Sequence, residues 1–448
     1  MGKNLNKFVC YECGYESAKW LGRCPGCLAW NTLVEEAVGE NTSGGKDSTA
    51  VALTDIPDEG ISRFSSGVGE LDRVLGGGIV PGSVILLGGD PGIGKSTLLL
   101  QVADRVATPE TPVLYLCGEE SLKQVRLRSF RLGIHNPGIY LLDEQDISVL
   151  EGTIDKLKPH LVIVDSIQTV HSPQVSSIPG SVAQLRACTA QVTDLAKSRD
   201  VAVFLVGHVT KEGVLAGPRV LEHMVDAVIY FEGDKNLALR LLRGIKNRFG
   251  STDEIGLMEM STGGLLEVVD PSYVFLSSPA VATTGTAVAA TFEGTRPLLI
   301  EIQALVTQAG PGYGRRMASG IDQNRLALII AVLEKHRGYG MAGCDVYLKV
   351  TGGVFLKDPA ADLAIAAAIA SSYRERALPR NVVFIGELSL SGQIRAVPFL
   401  DQRLKEVEKM GYHQVIIPGN ISRVATPVKV EMVGVNGVAE LIDWCMEG

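Results

Sequence analysis

Short apolar runs recur along the chain, and segments of helical period separate them. Val84 to Leu87, Val113 to Cys117, Gly138 to Leu142, Leu161 to Val164 and Val201 to Val206 are too short for helices and read as buried strands. Leu98 to Val106, Ser121 to Arg131, Val149 to Leu157 and Ser181 to Ser198 fall between them and read as helices. This alternation predicts a mostly parallel α/β sheet covered on both faces. Ligands of such sheets bind at the carboxyl ends of the strands. Three later runs, Ala227 to Phe231, Ala238 to Arg243 and Ile255 to Met260, extend the set of strands.

The pattern changes at both ends. Residues 35–58 lack periodicity and are rich in Gly, Ser, Thr and acid, which predicts a flexible linker after a small module of residues 1–34. Residues 59–270 then form one α/β domain, entered through a short amphipathic helix and a triple-glycine turn. After Pro271 the share of Ala, Gly, Val and Thr rises, and residues 271–448 read as a second α/β domain with helices at Asp322 to Lys335, Ala360 to Tyr373 and Asp401 to Met410. A chain of 448 residues is too long for one core, so division into domains is expected.

Apolar residues make up 46% and charged residues 21%, the balance of a globular protein. No apolar run approaches the ~18 residues of a membrane span, and the first ten residues lack a signal-peptide stretch. A cytoplasmic location without a membrane partner is therefore expected. With a net charge of −8, any binding of nucleic acid must rest on local basic patches.

The strongest chemical signal follows the first strand. Gly89-Asp90-Pro91-Gly92-Ile93-Gly94-Lys95-Ser96, with Thr97 behind it, matches the phosphate-binding loop pattern G-x-x-x-x-G-K-[ST]. Such a loop turns backbone N–H groups toward phosphate oxygens, and the helix N-terminus adds positive potential. Lys95 is placed for the β- and γ-phosphates of ATP, and Ser96 for Mg²⁺. Asp165 ends the strand Leu161 to Val164 and suits the Mg²⁺ water shell. Glu119 and Glu120 end another strand. Glu119 is the better candidate for the base that polarises water, with a helix-capping charge as the other reading, and sequence alone does not separate it from Glu120. His208, at a further strand end, is a candidate γ-phosphate sensor or a structural histidine.

Cys10-x-x-Cys13 and Cys24-x-x-Cys27 form two CxxC turns, which in a reducing compartment predict a four-thiolate Zn²⁺ site. The single cysteines, Cys188 among them, read as small buried hydrophobes.

Together these residues resemble the RecA/DnaB/KaiC branch of P-loop ATPases. The cysteine module, the SSGVGELDRVLGGG lead-in, GDPGIGKST, YLCGEES and Lys246-Asn247-Arg248-Phe249-Gly250 occur in the order of the bacterial RadA (Sms) DNA repair family. That resemblance implies a homo-hexameric ring, binding to single-stranded and branched DNA, and branch migration alongside the RecA recombinase. It also implies that Lys246 and Arg248, pointing the same way at a strand end, meet the γ-phosphate of a neighbouring subunit. The resemblance further implies that the loops Gln168 to Leu185 and Thr210 to His223 face the channel of the ring. Lys123, Arg126, Arg128 and Arg131 on one helix, and the stretch Gly310 to Arg316, are candidate DNA patches, or ordinary solvated surface. The segment Gly352 to Asp362 resembles the Lon protease domain, but Ala360 stands at the nucleophile position and Asp401 at the lysine position, which implies an inactive domain. An ATP-dependent protease and a KaiC-like signalling kinase are the competing readings.

Overall fold

The computed structural model describes residues 6–10, 15–26, 28, 30–37, 52, 62–208, 220–233, 238–268, 270, 272, 275–276, 283–310, 314–421 and 427–447. The chain divides into two compact units, Met1–Glu267 and Val268–Gly448.

The N-terminal module is a three-stranded antiparallel sheet in the order β2-β1-β3, from β1 (Asn6–Cys10), β2 (Glu16–Ser17) and β3 (Leu33–Ala37). β3 pairs with β1 along its whole length, from Cys10 opposite Leu33 to Asn6 opposite Ala37. The module therefore runs past residue 34, where the sequence pattern starts the linker. The acidic pair Glu35-Glu36 reads as solvated linker, yet backbone pairing continues through it.

The second part of this unit is a nine-stranded sheet. Its parallel strands are β4 (Val84–Gly89), β5 (Val113–Cys117), β6 (Ile139–Leu142), β7 (Leu161–Asp165), β8 (Ala202–His208) and β9 (Ala227–Glu232). β10 (Leu239–Asn247), β11 (Ile255–Ser261) and β12 (Gly264–Glu267) add to β9 as an antiparallel extension. The order is β12-β11-β10-β9-β4-β8-β7-β5-β6. Helices α1 (Gly69–Leu75), α2 (Lys95–Val106), α3 (Leu122–Arg131), α4 (Val149–Leu157) and α5 (Val182–Arg199) cover it.

Period-two alternation splits the strand side chains between two apolar layers. Ile85 and Leu87 of β4 pack with Tyr115, Ile163, Phe204 and the α2 residues Leu98, Leu99 and Val102. Val84 and Leu86 pack on the other face with Val162, Leu205, and Leu185, Cys188 and Val192 of α5. Burial on both faces is why these strands read as continuous apolar runs.

The second unit holds a seven-stranded mixed sheet, formed by β13 (Thr286–Glu293), β14 (Arg296–Gln308), β15 (Arg316–Ser319), β16 (Cys344–Val350), β17 (Val382–Phe384), β20 (Gln414–Pro418) and β21 (Glu431–Val435). A separate short hairpin joins β18 (Glu387–Leu388) and β19 (Ile394–Arg395). The helix Asp362–Tyr373 is buried at every position from Asp362 to Ser371. Its run of alanines lets it pack on all sides, the signature of a helix enclosed by its domain.

Candidate nucleotide site and metal module

The strand order places β4, β8, β7 and β5 side by side, and four candidate residues leave their carboxyl ends at one edge. Gly89 at the end of β4 is opposite His208 at the end of β8, and Cys117 at the end of β5 is opposite Asp165 at the end of β7.

The loop Asp90 to Gly94 then enters α2, whose N-cap is Gly94. Two glycines are required here. Gly89 has φ +155, and a Cβ on it would lie 2.5 Å from the Phe231 carbonyl oxygen. Gly94 has φ +119, and a Cβ would lie 2.7 Å from Met260 Cε. Both positions exclude a side chain, which leaves the loop amides and the N-terminus of a 12-residue helix as an anion cradle. Lys95 is 3% exposed and donates to the Gly89 carbonyl at 2.8 Å and the Asp90 carbonyl at 3.1 Å. Ser96 and Thr97 follow on the first turn of α2, half-buried. This cradle, cation and hydroxyl fit a nucleoside triphosphate with Mg²⁺.

Lys95 Nζ also lies 3.1 Å from His208 Nδ1, and His208 Nε2 lies 2.9 Å from Glu119 Oε2. The histidine thus joins the phosphate-loop cation to one of the two candidate acids. Glu120 is engaged elsewhere, in an ion pair with Arg128 at 2.5 Å. Asp165 is buried and accepts from the Tyr115 hydroxyl. Burial first, and then the Asp165 charge, push the Tyr115 hydroxyl well above its ordinary range, so it stays a donor. The same two causes push the Cys117 thiol up to about 12. Tyr115 had no sequence signal of its own, because it sits inside an apolar run. Arg240, also buried, donates to the Ile93 carbonyl at 3.2 Å and braces the loop from below. A cavity of about 270 Å³ beside the loop is lined by Gly89, Asp90, Ile93, Tyr230 and Phe231 among others.

Lys246 lies in β10 and Arg248 just past its end, and both meet groups of their own chain. Lys246 donates to the carbonyls of Glu222 (2.8 Å), His223 (3.4 Å) and Val225 (2.8 Å), and Arg248 pairs with the buried Asp226 at 3.3 Å. Burial and then the Arg248 charge lower the Lys246 pKa. Within its own chain Lys246 thus has three carbonyl acceptors. Arg248 keeps a half-exposed side chain.

The DNA candidates divide in the same way. Lys123, Arg126 and Arg131 are exposed on α3, while Arg128 is held by Glu120. Arg316 donates to the Met341 carbonyl at 2.7 Å and to that of Cys344, so it anchors backbone; Arg315 is exposed. Pro311 to Tyr313 and residues 209–219, with Lys211 and Arg219, lie outside the described residues. The buried Gln184, in the first turn of α5, accepts from the Ser172 amide and donates to the Ser172, Val175 and Ser177 carbonyls, which orders the loop after β7.

In the N-terminal module Cys10 and Cys24 are both fully buried. The Gly26 amide donates to Cys24 Sγ at 3.4 Å, a contact that suits a metal-bound thiolate. Cys13 and Cys27 lie outside the described residues. The thiol chemistry fits a tetrahedral metal such as Zn²⁺.

In the second unit the buried Ala360 packs among Leu299, Val383, Ile385 and Leu404. Beside it Arg403, 1% exposed, donates to Asp358 Oδ2 at 2.6 Å and the Ala290 carbonyl at 2.8 Å, and its guanidinium lies 4.6 Å from the Phe292 ring centre. Arg325 donates to Asp362 at 2.7 Å and to the Asp358 carbonyl at 2.7 Å. Two ion pairs, Arg403 with Asp358 and Arg325 with Asp362, thus lie beside the buried Ala360.

Three families match parts of the chain: the AAA domain over residues 55–214, the rubredoxin metal binding domain over 8–35, and subunit ChlI of Mg-chelatase over 350–420. The DNA repair protein RadA of Bacillus subtilis (strain 168) is 48% identical over 458 residues, covering 100% of both chains. The DNA repair protein RadA of Listeria monocytogenes is 49% identical over 447 residues, covering 98% of each. Among solved structures, a KaiC-like protein from Pyrococcus horikoshii OT3 aligns with 47% of this chain and 100% of its own, at 18% identity and a TM-score of 0.39.

Proposed function

The chain belongs to the family of the DNA repair protein RadA, and from that premise we propose an ATP-driven motor on single-stranded and branched DNA. Its fold is α/β: a RecA-like P-loop core, an N-terminal zinc ribbon and a Lon-protease-like domain. It is an ATPase of DNA repair and recombination.

The observation that carries the mechanism is the chain of contacts Lys95–His208–Glu119 at one strand edge. Lys95 leaves its loop carbonyls to bind the β- and γ-phosphates of ATP. The Ser96 hydroxyl and Asp165 carboxylate would hold Mg²⁺, with Tyr115 fixing the Asp165 orientation. Bound magnesium neutralises phosphate charge. Glu119 orients and deprotonates the attacking water, and His208 positions its carboxylate. Glu120, tied to Arg128, holds the start of α3. Arg248 reaches the nucleotide of a neighbouring subunit in a homo-hexameric ring, while Lys246 secures the turn before β9. The ring extends recombination intermediates together with RecA, and the four thiolates of Cys10, Cys13, Cys24 and Cys27 hold Zn²⁺.

The Lon-like domain serves assembly and DNA contact. Ala360 offers a buried methyl where a hydrolase needs an exposed nucleophile, which counts against proteolysis. The test is phosphate release with and without single-stranded DNA, run beside size measurement in ATP. Stimulation together with a hexameric mass is expected. Hydrolysis indifferent to DNA would favour the signalling ATPase.

A further inference from the structure

The N-terminal module carries two of the chain's three tryptophans, Trp20 and Trp30, and both are exposed, at 54% and 69%. They are neighbours. A Cβ on Gly22 would lie 3.7 Å from Cη2 of Trp20 and 3.8 Å from Cζ3 of Trp30, so the outer edges of both indoles flank one glycine. Backbone fixes the arrangement: Arg23 bridges to Trp30, the Asn31 amide donates to the Gly22 carbonyl at 2.8 Å, and Trp20 Nε1 donates to the Leu33 carbonyl at 3.1 Å. The Arg23 guanidinium lies 5.8 Å from the Trp30 ring centre, and its Nε donates to the Leu28 carbonyl at 2.9 Å. Lys19 is exposed beside Trp20.

Two indoles of this size left in water cost a small module apolar exposure that its own core does not recover. From Ser17 to Asn31 the chain has two cations, Lys19 and Arg23, and no acid, within a protein whose net charge is −8. Aromatic faces with cations alongside are the physics of single-strand recognition.

We infer that Trp20 and Trp30, with Arg23 and Lys19, form a base-stacking surface for single-stranded DNA on the metal module. The bases stack on the indoles, and the two cations neutralise the adjoining phosphates. Such stacking tolerates any sequence, because every base has a π face. This surface deepens the motor reading above and rests on its single-stranded DNA partner. It adds a second hold on the strand, separate from the ATPase core.

The test uses the full-length, metal-loaded protein and a short oligo(dT). Trp444, in contact with Phe384 in the other unit, is first replaced by Phe, so that only Trp20 and Trp30 emit. Oligo(dT) is expected to quench their emission along the same curve that reports binding by anisotropy. Trp30→Ala should weaken binding about ten-fold, and Trp30→Phe by much less. An unchanged metal-to-protein ratio checks that the variant module is folded. If Trp30→Ala loses metal, the quench of the unsubstituted indoles decides alone. Unquenched indoles in a protein that binds oligo(dT), or undiminished binding by metal-loaded Trp30→Ala, would overturn the stacking surface and leave it to a protein partner. Failure of the unsubstituted protein to bind oligo(dT) at all would overturn the single-stranded DNA reading itself, and this surface with it.

Discussion

His208 Nδ1 lies 3.1 Å from Lys95 Nζ, across the neighbouring strands β8 and β4. An ammonium has no lone pair, so Nδ1 accepts and the proton of the neutral ring sits on Nε2, facing Glu119. This geometry gives two adjacent acids different partners, His208 for Glu119 and Arg128 for Glu120. Glu119→Gln is expected to lower turnover by about 10²–10⁴-fold while nucleotide binding persists. Glu120→Gln should stay within a few-fold of the unsubstituted rate, because it loses only the tie to Arg128. Phosphate release and binding of a fluorescent nucleotide read both. The reverse pattern would make Glu120 the base.

Arg248 and Lys246 should part company in kinetics. Arg248→Ala is expected to lose on the order of 10³-fold in DNA-stimulated hydrolysis, the usual scale of an arginine finger. Mixed with Lys95→Ala subunits, also inactive alone, it should recover activity where an intact Arg248 meets an intact phosphate loop. Lys246→Ala should instead lower the melting temperature, since three carbonyls lose their donor. Full hydrolysis by Arg248→Ala alone would remove the finger.

Chelation of the metal should unfold the N-terminal module and leave the ATPase core melting where it did. A module this small depends on its metal for stability. Calorimetry with and without chelator reads the core transition. A Cys10→Ser, Cys27→Ser protein that keeps a full metal equivalent would place the metal elsewhere.

Much of this was legible in the chain and some was not, for identifiable reasons. The central strands and the phosphate loop showed because apolar runs end in glycine or acid. The N-terminal module runs three residues past the expected start of the linker because Glu35 and Glu36 satisfy their backbone in a ladder, which charge patterning cannot reveal. Tyr115 reaches Asp165 only through the β5–β7 register. The partners of Lys246 and Arg248 come from a turn more than twenty residues earlier. Arg403 looked like one cation among many on a charged helix, and only the tertiary fold buries it.

Arg403→Met should destabilise the C-terminal domain by about 3–5 kcal/mol, because it leaves the largely enclosed Asp358 carboxylate without its cation. Burial lowers the Arg403 pKa and the Asp358 contact opposes that shift, so the pair stands or falls together. Adding Asp358→Asn should restore part of the loss. Urea denaturation of the three proteins measures it, and an unaffected single variant would refute the pairing.

Native thiol labelling should be selective. Burial pushes Cys117 and Cys445 up to about 12 and Cys188 up to about 11. A thiol reacts as thiolate, so a raised pKa keeps it neutral until pH nears that value. Near pH 8 roughly one in 10³ or fewer of these groups is ionised. Cys344, less buried, should label first, and the other three only on denaturation. Rapid native labelling of Cys117 would contradict its burial beside Asp165.

The enclosed methyl of Ala360 also bears on redesign. A serine introduced there would place its hydroxyl among Leu299, Val383 and Leu404, in a buried apolar cluster. The neighbouring Asp358 is already spent on Arg403 and on the Phe292 and Ala360 amides. One substitution, or two, would therefore not supply a hydrolytic pair at this place. The ion pair of Arg403 and Asp358 would have to be dismantled first, at a cost in stability.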